Sequence, residues 1–340
     1  MKIAITGATG SLGGALVARL AELGDVTRIV ALSRDEVKSG DLAERWPDLA
    51  PLRCMLADVR DEPRLEEVFR GCDAVVHAAA LKRITQSVYS PEEIIKTNVL
   101  GTVNVVRAAT AVGVERVVVV SSDKAVEATN LYGMSKAVAE CYAVQSNSYS
   151  VPRGTRVSCV RYGNVLGSRG SVVHLWRDQL RRGASPTITD FRMTRFVISL
   201  RAAADFVLGA LGVMEGGEIF VPLLPAVQIG MLADAVVAEW ATRTGVADPK
   251  DFARRSACRP VIGLRPGGEK LHEALLSREE PPRARAREGV VTVLPSHHSW
   301  RLAWGPFDAD ETVLDAAYTS DAPGRWLGVE ELVGMLQDVP

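Results

Sequence analysis

The feature that most narrows the fold is a repeated change of period that begins at the second residue. "KIAIT" reads as a short apolar strand, "GATGSLGG" as a glycine-rich turn, and "ALVARLAEL" as a helix with apolar residues three and four places apart. The same alternation then recurs. "VTRIVAL" and "PLRCMLADV" contain strands, "RLEEVFR" is helical, "AVVHAAA" is a fourth strand, and "EIIKTNVLGTVNVVRAATAVG" is a helix leading into "ERVVVVSS". That last run is β-branched and apolar on both faces, as a strand covered on both sides should be. Strand and helix in alternation predict an α/β protein with a Rossmann-like, doubly wound parallel sheet. After "VSCVRYGNV" the alternation breaks down. We therefore expect a dinucleotide-binding domain over residues 1–165 and a smaller, mixed substrate-binding region over 166–340, with 194–212 returning to the main sheet. "REEPPRARARE" at 278–288 reads as an exposed connector.

Gly7, Gly10 and Gly13 form TGxxGxxG between the first strand and its helix. Without side chains the backbone can approach a pyrophosphate, and the helix N-terminus offers unpaired amides and a favourable dipole. The plainer alternative is a turn that only packs helix on strand. The cofactor expectation extends to Thr9, Ser11 and Leu12 in the turn, to Val59, and to Ala78, Ala79 and Ala80 at the end of the fourth strand. The second strand ends in "LSRDE", where an acidic residue would bind a free ribose 2'-hydroxyl. Ser33 and Arg34 come first and suit a 2'-phosphate, which favours NADP; Asp35 leaves NAD open. Asp58 in "ADVRD" is either an adenine contact or a turn aspartate.

The chain has eight lysines against thirty-two arginines, so each lysine deserves to be located. Two of them lie in "SSDKAVEATNLYGMSK", residues 121–136. Ser122, Asp123 and Lys124 follow the "VVVV" strand, at the carboxyl edge where open α/β sheets place their ligand crevice. Tyr132 and Lys136 stand one turn apart on the next helix. This YxxxK spacing suits a phenol whose pKa is lowered by a nearby ammonium, so that it takes a proton from a sugar hydroxyl as that carbon is oxidised. Ser122 is its expected hydroxyl partner. Oxidation alone has no need of Asp123 and Lys124. Elimination of water does need an acid and a base, which this pair can supply; the plainer reading is a salt bridge or turn cap.

Lysine plus arginine total 40 against 41 acidic residues, a net charge of −1, which leaves no field to hold a polyanion and excludes non-specific nucleic-acid binding. Five scattered cysteines lack metal-ligand spacing and are odd in number, which argues against a disulfide framework and for a reducing, cytoplasmic setting. No run approaches the length of a membrane span. No metal site is expected.

With these residues placed, the sequence resembles the UDP-N-acetylglucosamine 4,6-dehydratase family, C5-inverting type of pseudaminic acid and capsule pathways, within the extended short-chain dehydrogenase superfamily. The resemblance rests on "TGATGSLG", "SRDE", "HAAALK", "KTNVLGT", "SSDKA", "NLYGMSK", "VRYGNVLGSRGSVV", "ITDFRMTRF", "GGEIFVP" and "RPGGEKLHE", in that order. It implies that Asp123 is the acid for the C6 hydroxyl, Lys124 the C5 base, and Tyr132 with Lys136 the C4 oxidation pair. Lys82 and Asn98 would line or support the cofactor and sugar. Asn164, Arg169, Ser171, Arg192, Arg195 and Arg265 would hold the UDP moiety, although ion pairing that fastens the smaller region is an equal reading for Arg192 and Arg195. Glu269 and His272 are expected to pack or hydrogen-bond within the "GEKLHE" turn. The implied partners are a UDP-sugar and further copies of the chain, as a dimer or hexamer.

Three segments depart from the family pattern: "VEATN" after Lys124 lacks a proline, "RITQSVYSP" after Lys82 lacks a proline and an acid, and "RPGGEK" has an extra glycine. They bear on which hexose is bound and on the outcome at C5. Two other functions stay open. A UDP-sugar 4-epimerase would use Tyr132 and Lys136 without the elimination pair, and a sensor would bind NADP without chemistry.

Overall fold

A computed structural model describes residues 1–83, 88–150, 154–245, 259–264, 267–296, 312–313, 316–337 and 339. The first half follows the predicted alternation. Strands β1 (Lys2–Thr6), β2 (Arg28–Ser33), β3 (Leu52–Leu56) and β4 (Ala74–His77) are separated by helices α1 (Ser11–Leu23), α2 (Glu36–Arg45) and α3 (Glu62–Phe69). A short helix α4 (Pro91–Ile94) runs through a π-helical segment, Ile95–Leu100, into α5 (Gly101–Ala111). Strand β5 (Arg116–Val120) then feeds a 3-10 turn at Asp123–Ala125 and helix α6 (Leu131–Gln145), followed by α7 (Asn147–Ser150) and β6 (Arg156–Val160). Val117, Val118 and Val119 of β5 have no exposed surface, each burial worth about 1.5–3 kcal/mol before the entropy of ordering is subtracted.

Among the described residues ten strands form one sheet, and β3, β2, β1, β4, β5 and β6 lie in it side by side, all parallel. The order reverses between β1 and β4, which opens a crevice at their carboxyl ends. Helix α1 covers one face of the sheet, and α3, α5 and α6 pack together on the other.

The second half continues through β7 (Asn164–Val165), α8 (Val172–Arg181), β8 (Thr194–Ile198), α9 (Leu200–Val213), β9 (Ile219–Pro222), β10 (Ala226–Gln228) and α10 (Ile229–Thr244). It ends with β11 (Ala274–Leu276), β12 (Ala284–Arg287), β13 (Val290–Val293), β14 (Thr312–Val313), β15 (Tyr318–Thr319) and α11 (Val329–Gln337). Two expectations are corrected here. Strand β8, within the segment expected to rejoin the main sheet, instead joins β7 and β10 in a separate three-stranded sheet; only α9 returns, packing on α1. The strands that do extend the main sheet are β9, parallel to β6, then β13, β12 and β14. The stretch read as an exposed connector therefore contains β12. Its charged composition misled because Arg285 and Arg287 alternate with Ala284 and Ala286, the pattern of a strand buried on one face only.

A second apolar core lies in the smaller region, where Val173, Trp176 and Leu180 of α8 meet Val236 and Val237 of α10 and Leu332 and Leu336 of α11. Among the described residues no helix is long and apolar enough to cross a membrane.

Candidate active site

The nucleotide end is shaped by what is missing from it. Gly7 has φ +69°, and a Cβ there would lie 2.8 Å from the backbone of Ala79 at the end of β4; one on Gly13 would lie 2.3 Å from Gly7 O. The glycines thus let β1, the α1 N-terminus and the β4 end close around the crevice. No side chain caps α1 at Gly10, and its first turn carries no acid, so its amides remain available to an anion. Thr9 and Ser33 meet across the crevice, hydroxyl to hydroxyl at 3.0 Å. Ala78 and Ala80 flank Ala79 without bulk, and Leu12 packs on the core. Ser11 Oγ accepts from the Arg169 amide at 2.9 Å, bringing the 166–171 loop onto the α1 start.

Arg34 is half exposed, its guanidinium 3.9 Å from Asp58. Asp35 faces away: it caps α2, accepting from Lys38 N at 3.1 Å, and pairs with the Lys38 ammonium. Asp58 accepts from the backbone and side chain of Arg60, which holds its carboxyl below the usual range, so the turn-aspartate reading fits its geometry. Val59 is buried against Gly101, where a Cβ would lie 2.7 Å from Val59 Cγ2. Asn98, on the π-helical segment, is 1% exposed. Its Oδ1 accepts from Leu81 N at 2.8 Å while its Nδ2 donates to Leu81 O and Ser135 Oγ, which pins the chain just before Lys82. Its role in the structure is support.

The chemical end forms where β5 and α6 converge. Asn130 caps α6 by accepting from Gly133 N at 2.9 Å. A Cβ on Gly133 would lie 2.2 Å from Lys124 O, so the absent side chain lets α6 rest directly on the 3-10 turn and sets Tyr132 beside it. Ser122 Oγ donates to Asp123 Oδ1 at 2.8 Å, and its proximity to Tyr132 works to lower that phenol's pKa. Lys124 Nζ lies 3.1 Å from Asp123 Oδ1 and 3.3 Å from Glu273 Oε1. Ser122, Asp123 and Lys124 are thus linked in series, with Tyr132 beside them.

Burial raises the Asp123 pKa, and Glu273 adds to that against the opposing Lys124; Oδ2 is buried without a partner. For Lys124, burial alone would favour the neutral amine, but Asp123 and Glu273 outweigh it and raise the pKa. Tyr132 corrects the expectation of a lowered pKa. Burial wins and raises it, and the leading favourable cation is Lys124. Lys136 donates instead to Val120 O at 2.5 Å, and its burial lowers its pKa to about 8. The i to i+4 spacing placed Lys136 on the right face of the helix, but the β5 carbonyl decided where the ammonium points.

The remaining candidates divide. Asn164 Oδ1 and Ser171 Oγ are buried without protein hydrogen-bond partners. Lys82 donates to Ser168 Oγ at 3.3 Å, and its pKa is lowered by partial desolvation and then by Lys124 and Arg83, although the residue is exposed. Arg169 is exposed. Arg192 is also exposed and engaged by Asp190 at 2.7 Å. Arg195 takes the fastening role: its guanidinium donates to the carbonyls of Thr194, Leu271 and Lys270. His272 hydrogen-bonds Thr194 of β8 at 2.8 Å, tying its turn to the smaller sheet. Arg265 lies outside the described residues. Sequence reading missed Glu273. The available signal was Lys270, one of the few lysines, three places before an acid; the pair stands 3.1 Å apart.

The sequence model of a family described as polysaccharide biosynthesis protein matches residues 3–295. A protein of Campylobacter jejuni named UDP-N-acetylglucosamine 4,6-dehydratase (inverting) is 37% identical, the match covering 98% of this chain and 96% of that one. A UDP-glucose 4-epimerase of Rickettsia massiliae is 40% identical over 82% of this chain and 79% of its own. Among solved structures, Pen from Bacillus thuringiensis superposes with a TM-score of 0.86 at 28% identity, over 99% of this chain and 97% of that one.

Proposed function

We propose, for a chain that belongs to the polysaccharide biosynthesis protein family, that it dehydrates a UDP-N-acetylhexosamine, with UDP-N-acetylglucosamine the first candidate, to a UDP-4-keto-6-deoxy sugar. The observation that carries this reading is the pairing of buried Asp123 with partly buried Lys124, with Ser122 bonded to Asp123 and Tyr132 beside them. The near full-length likeness to a protein named for that reaction supports it.

Each residue has a step. The glycine turn would hold a nicotinamide dinucleotide, which would supply the redox chemistry as the acceptor of the C4 hydride and its donor to C6. Tyr132, with Ser122 beside it, takes the C4 hydroxyl proton. A ketone at C4 makes the C5 proton acidic; Lys124 removes it while Asp123 protonates the departing C6 hydroxyl. Asp123 must then be protonated and Lys124 neutral. That state differs from the observed ion pair by one proton moved across the 3.1 Å contact from Nζ to Oδ1. Asn164 and Ser171, whose buried side-chain oxygens have no protein partner, would receive the UDP moiety.

NADP is the proposed cofactor. Arg34 is free of tight pairing and Ser33 lies beside Thr9, whereas Asp35, the acid that would select NAD, is engaged by α2 and Lys38. Arg34→Glu should lower the preference for NADP over NAD at least about tenfold, the worth of one charge-assisted contact. Unchanged relative affinities would remove the 2'-phosphate argument.

The epimerase reading is favoured by the 40% identity to a protein of that name. Incubation with UDP-N-acetylglucosamine in deuterated water separates the two. Loss of water with deuterium at C5 is expected, its coupling pattern giving the C5 configuration; C4 inversion with no water lost would replace the dehydratase reading by the epimerase.

A further inference from the structure

Glu273 comes from the smaller region, far in sequence from the elimination pair, and is 3% exposed. Its carboxylate meets three cations: Lys270 Nζ at 3.1 Å, Lys124 Nζ at 3.3 Å and Arg195 Nε at 4.0 Å. The turn that carries it is fastened on every side. Arg195 donates to two of its carbonyls, and Thr194 N donates to Leu271 O at 3.1 Å. Glu273 N donates to Ser320 Oγ at 2.9 Å, and Ser320 N returns a bond to Glu273 O at 2.8 Å. Lys270 Nζ donates to Val126 O at 2.9 Å. Gly268, in the departing "RPGGEK" segment, presses on Thr129 in the departing "VEATN" loop, where Thr129 Oγ1 donates to Gly268 O at 2.6 Å. Two of the three departures from the family pattern therefore meet each other, and together they seat this turn.

So many fastenings are more than a lone surface salt bridge needs, and they hold one carboxylate beside the proposed base, Lys124 and Arg195 on Oε1 and Lys270 on Oε2. We propose that Glu273 is a positioning residue for the elimination step, holding Lys124 Nζ beside Asp123 and setting the pH at which Lys124 can act as a base. The inference rests on the dehydratase reading for what Lys124 does, but not for how Glu273 acts on it. The charged and titratable groups facing Glu273 are Lys124 and Asp123 from the 3-10 turn, Tyr132 from α6, Arg195 from β8 and Lys270 from its own turn. A cavity of about 650 Å³ is lined by Glu127, Lys270, His272, Arg278 and Asp321 with Glu273 itself. The cations hold the Glu273 carboxyl below its ordinary value against its burial, so it is an anion and favours the ammonium of Lys124. Removing that anion makes the neutral amine easier to reach.

The test is the pH dependence of Lys124 labelling by an amine reagent, read by mass spectrometry on the full chain without substrate. In Glu273→Gln the midpoint should fall by about 1–2 pH units, the size of one close charge, and Glu273→Asp should restore much of it. Lys270→Gln removes a cation from the same carboxylate and should move the midpoint up, which keeps the test alive if Glu273→Gln does not fold. With UDP-N-acetylglucosamine, the acidic limb of water loss should move with the labelling midpoint. Midpoints unchanged in both Glu273→Gln and Lys270→Gln would overturn the role of Glu273. Wild-type protein that loses no water would instead overturn the dehydratase reading, and the labelling result would still stand.

Discussion

Tyr132 and Lys136 lie on one helix turn, yet their polar ends answer to different neighbours. The phenol faces Ser122 and the charge of Lys124, while the Lys136 ammonium is held by Val120 O. Tyr132→Phe removes the group proposed to take the C4 proton and should reduce C4 oxidation by at least about 100-fold, read as transient reduction of the nicotinamide. Lys136 adds a pH signature. Burial puts its folded-state pKa at about 8, below its value in the unfolded chain. Above pH 8 the unfolded chain keeps a proton that the folded one has lost, so the stability penalty of burying this ammonium is relieved as pH rises through that window. Cofactor affinity should move the opposite way, weakening as the charge is lost. Lys136→Arg should abolish that limb of a pH titration of cofactor binding, since guanidinium stays charged.

At the scale of elements, the site depends on places where backbone must touch backbone. Gly133 is the clearest. Inside a helix, glycine to alanine ordinarily stabilises by about 1 kcal/mol, but here the added Cβ would meet Lys124 O at 2.2 Å. Gly133→Ala should therefore lower the melting temperature and slow both oxidation and elimination; a more stable, fully active variant would show that α6 need not rest on the 3-10 turn. The π-helical segment offers a second case. Asn98→Ala leaves Leu81 N and O without their side-chain partner inside the protein, a cost of about 1–3 kcal/mol, measurable by urea unfolding. "KTNVLGT" showed an asparagine in a helix; that its amide mimics backbone for a distant segment is a property of the packed π turn.

At the scale of the whole molecule, the last third of the chain is tied to the main sheet through a buried charge cluster. Arg161 follows β6 and is 3% exposed; it pairs with Glu140 of α6 and with Glu280, the latter at 3.0 Å, and donates to Leu275 O at 2.8 Å. Arg161→Met alone should destabilise by about 3–5 kcal/mol because two buried carboxylates lose their counter-ion, and adding Glu140→Gln and Glu280→Gln should recover part of that loss in denaturant unfolding. The sequence by itself determined the first half: the period changes, glycine turn, apolar β5 and YxxxK spacing are local signals, and a parallel sheet with short connections follows from them. It also brought Ser122, Asp123 and Lys124 to a strand end. Only the tertiary structure decided what each charge faces. Glu273 reaches Lys124 from 149 residues away, Arg195 fastens a turn, one of the two roles open to it, and β12 joins a sheet whose first strand begins at Lys2. Such contacts join segments whose separation leaves no period or spacing in the chain. Their direction is set by desolvation and the nearest counter-charge, which exist only once the two regions have packed together.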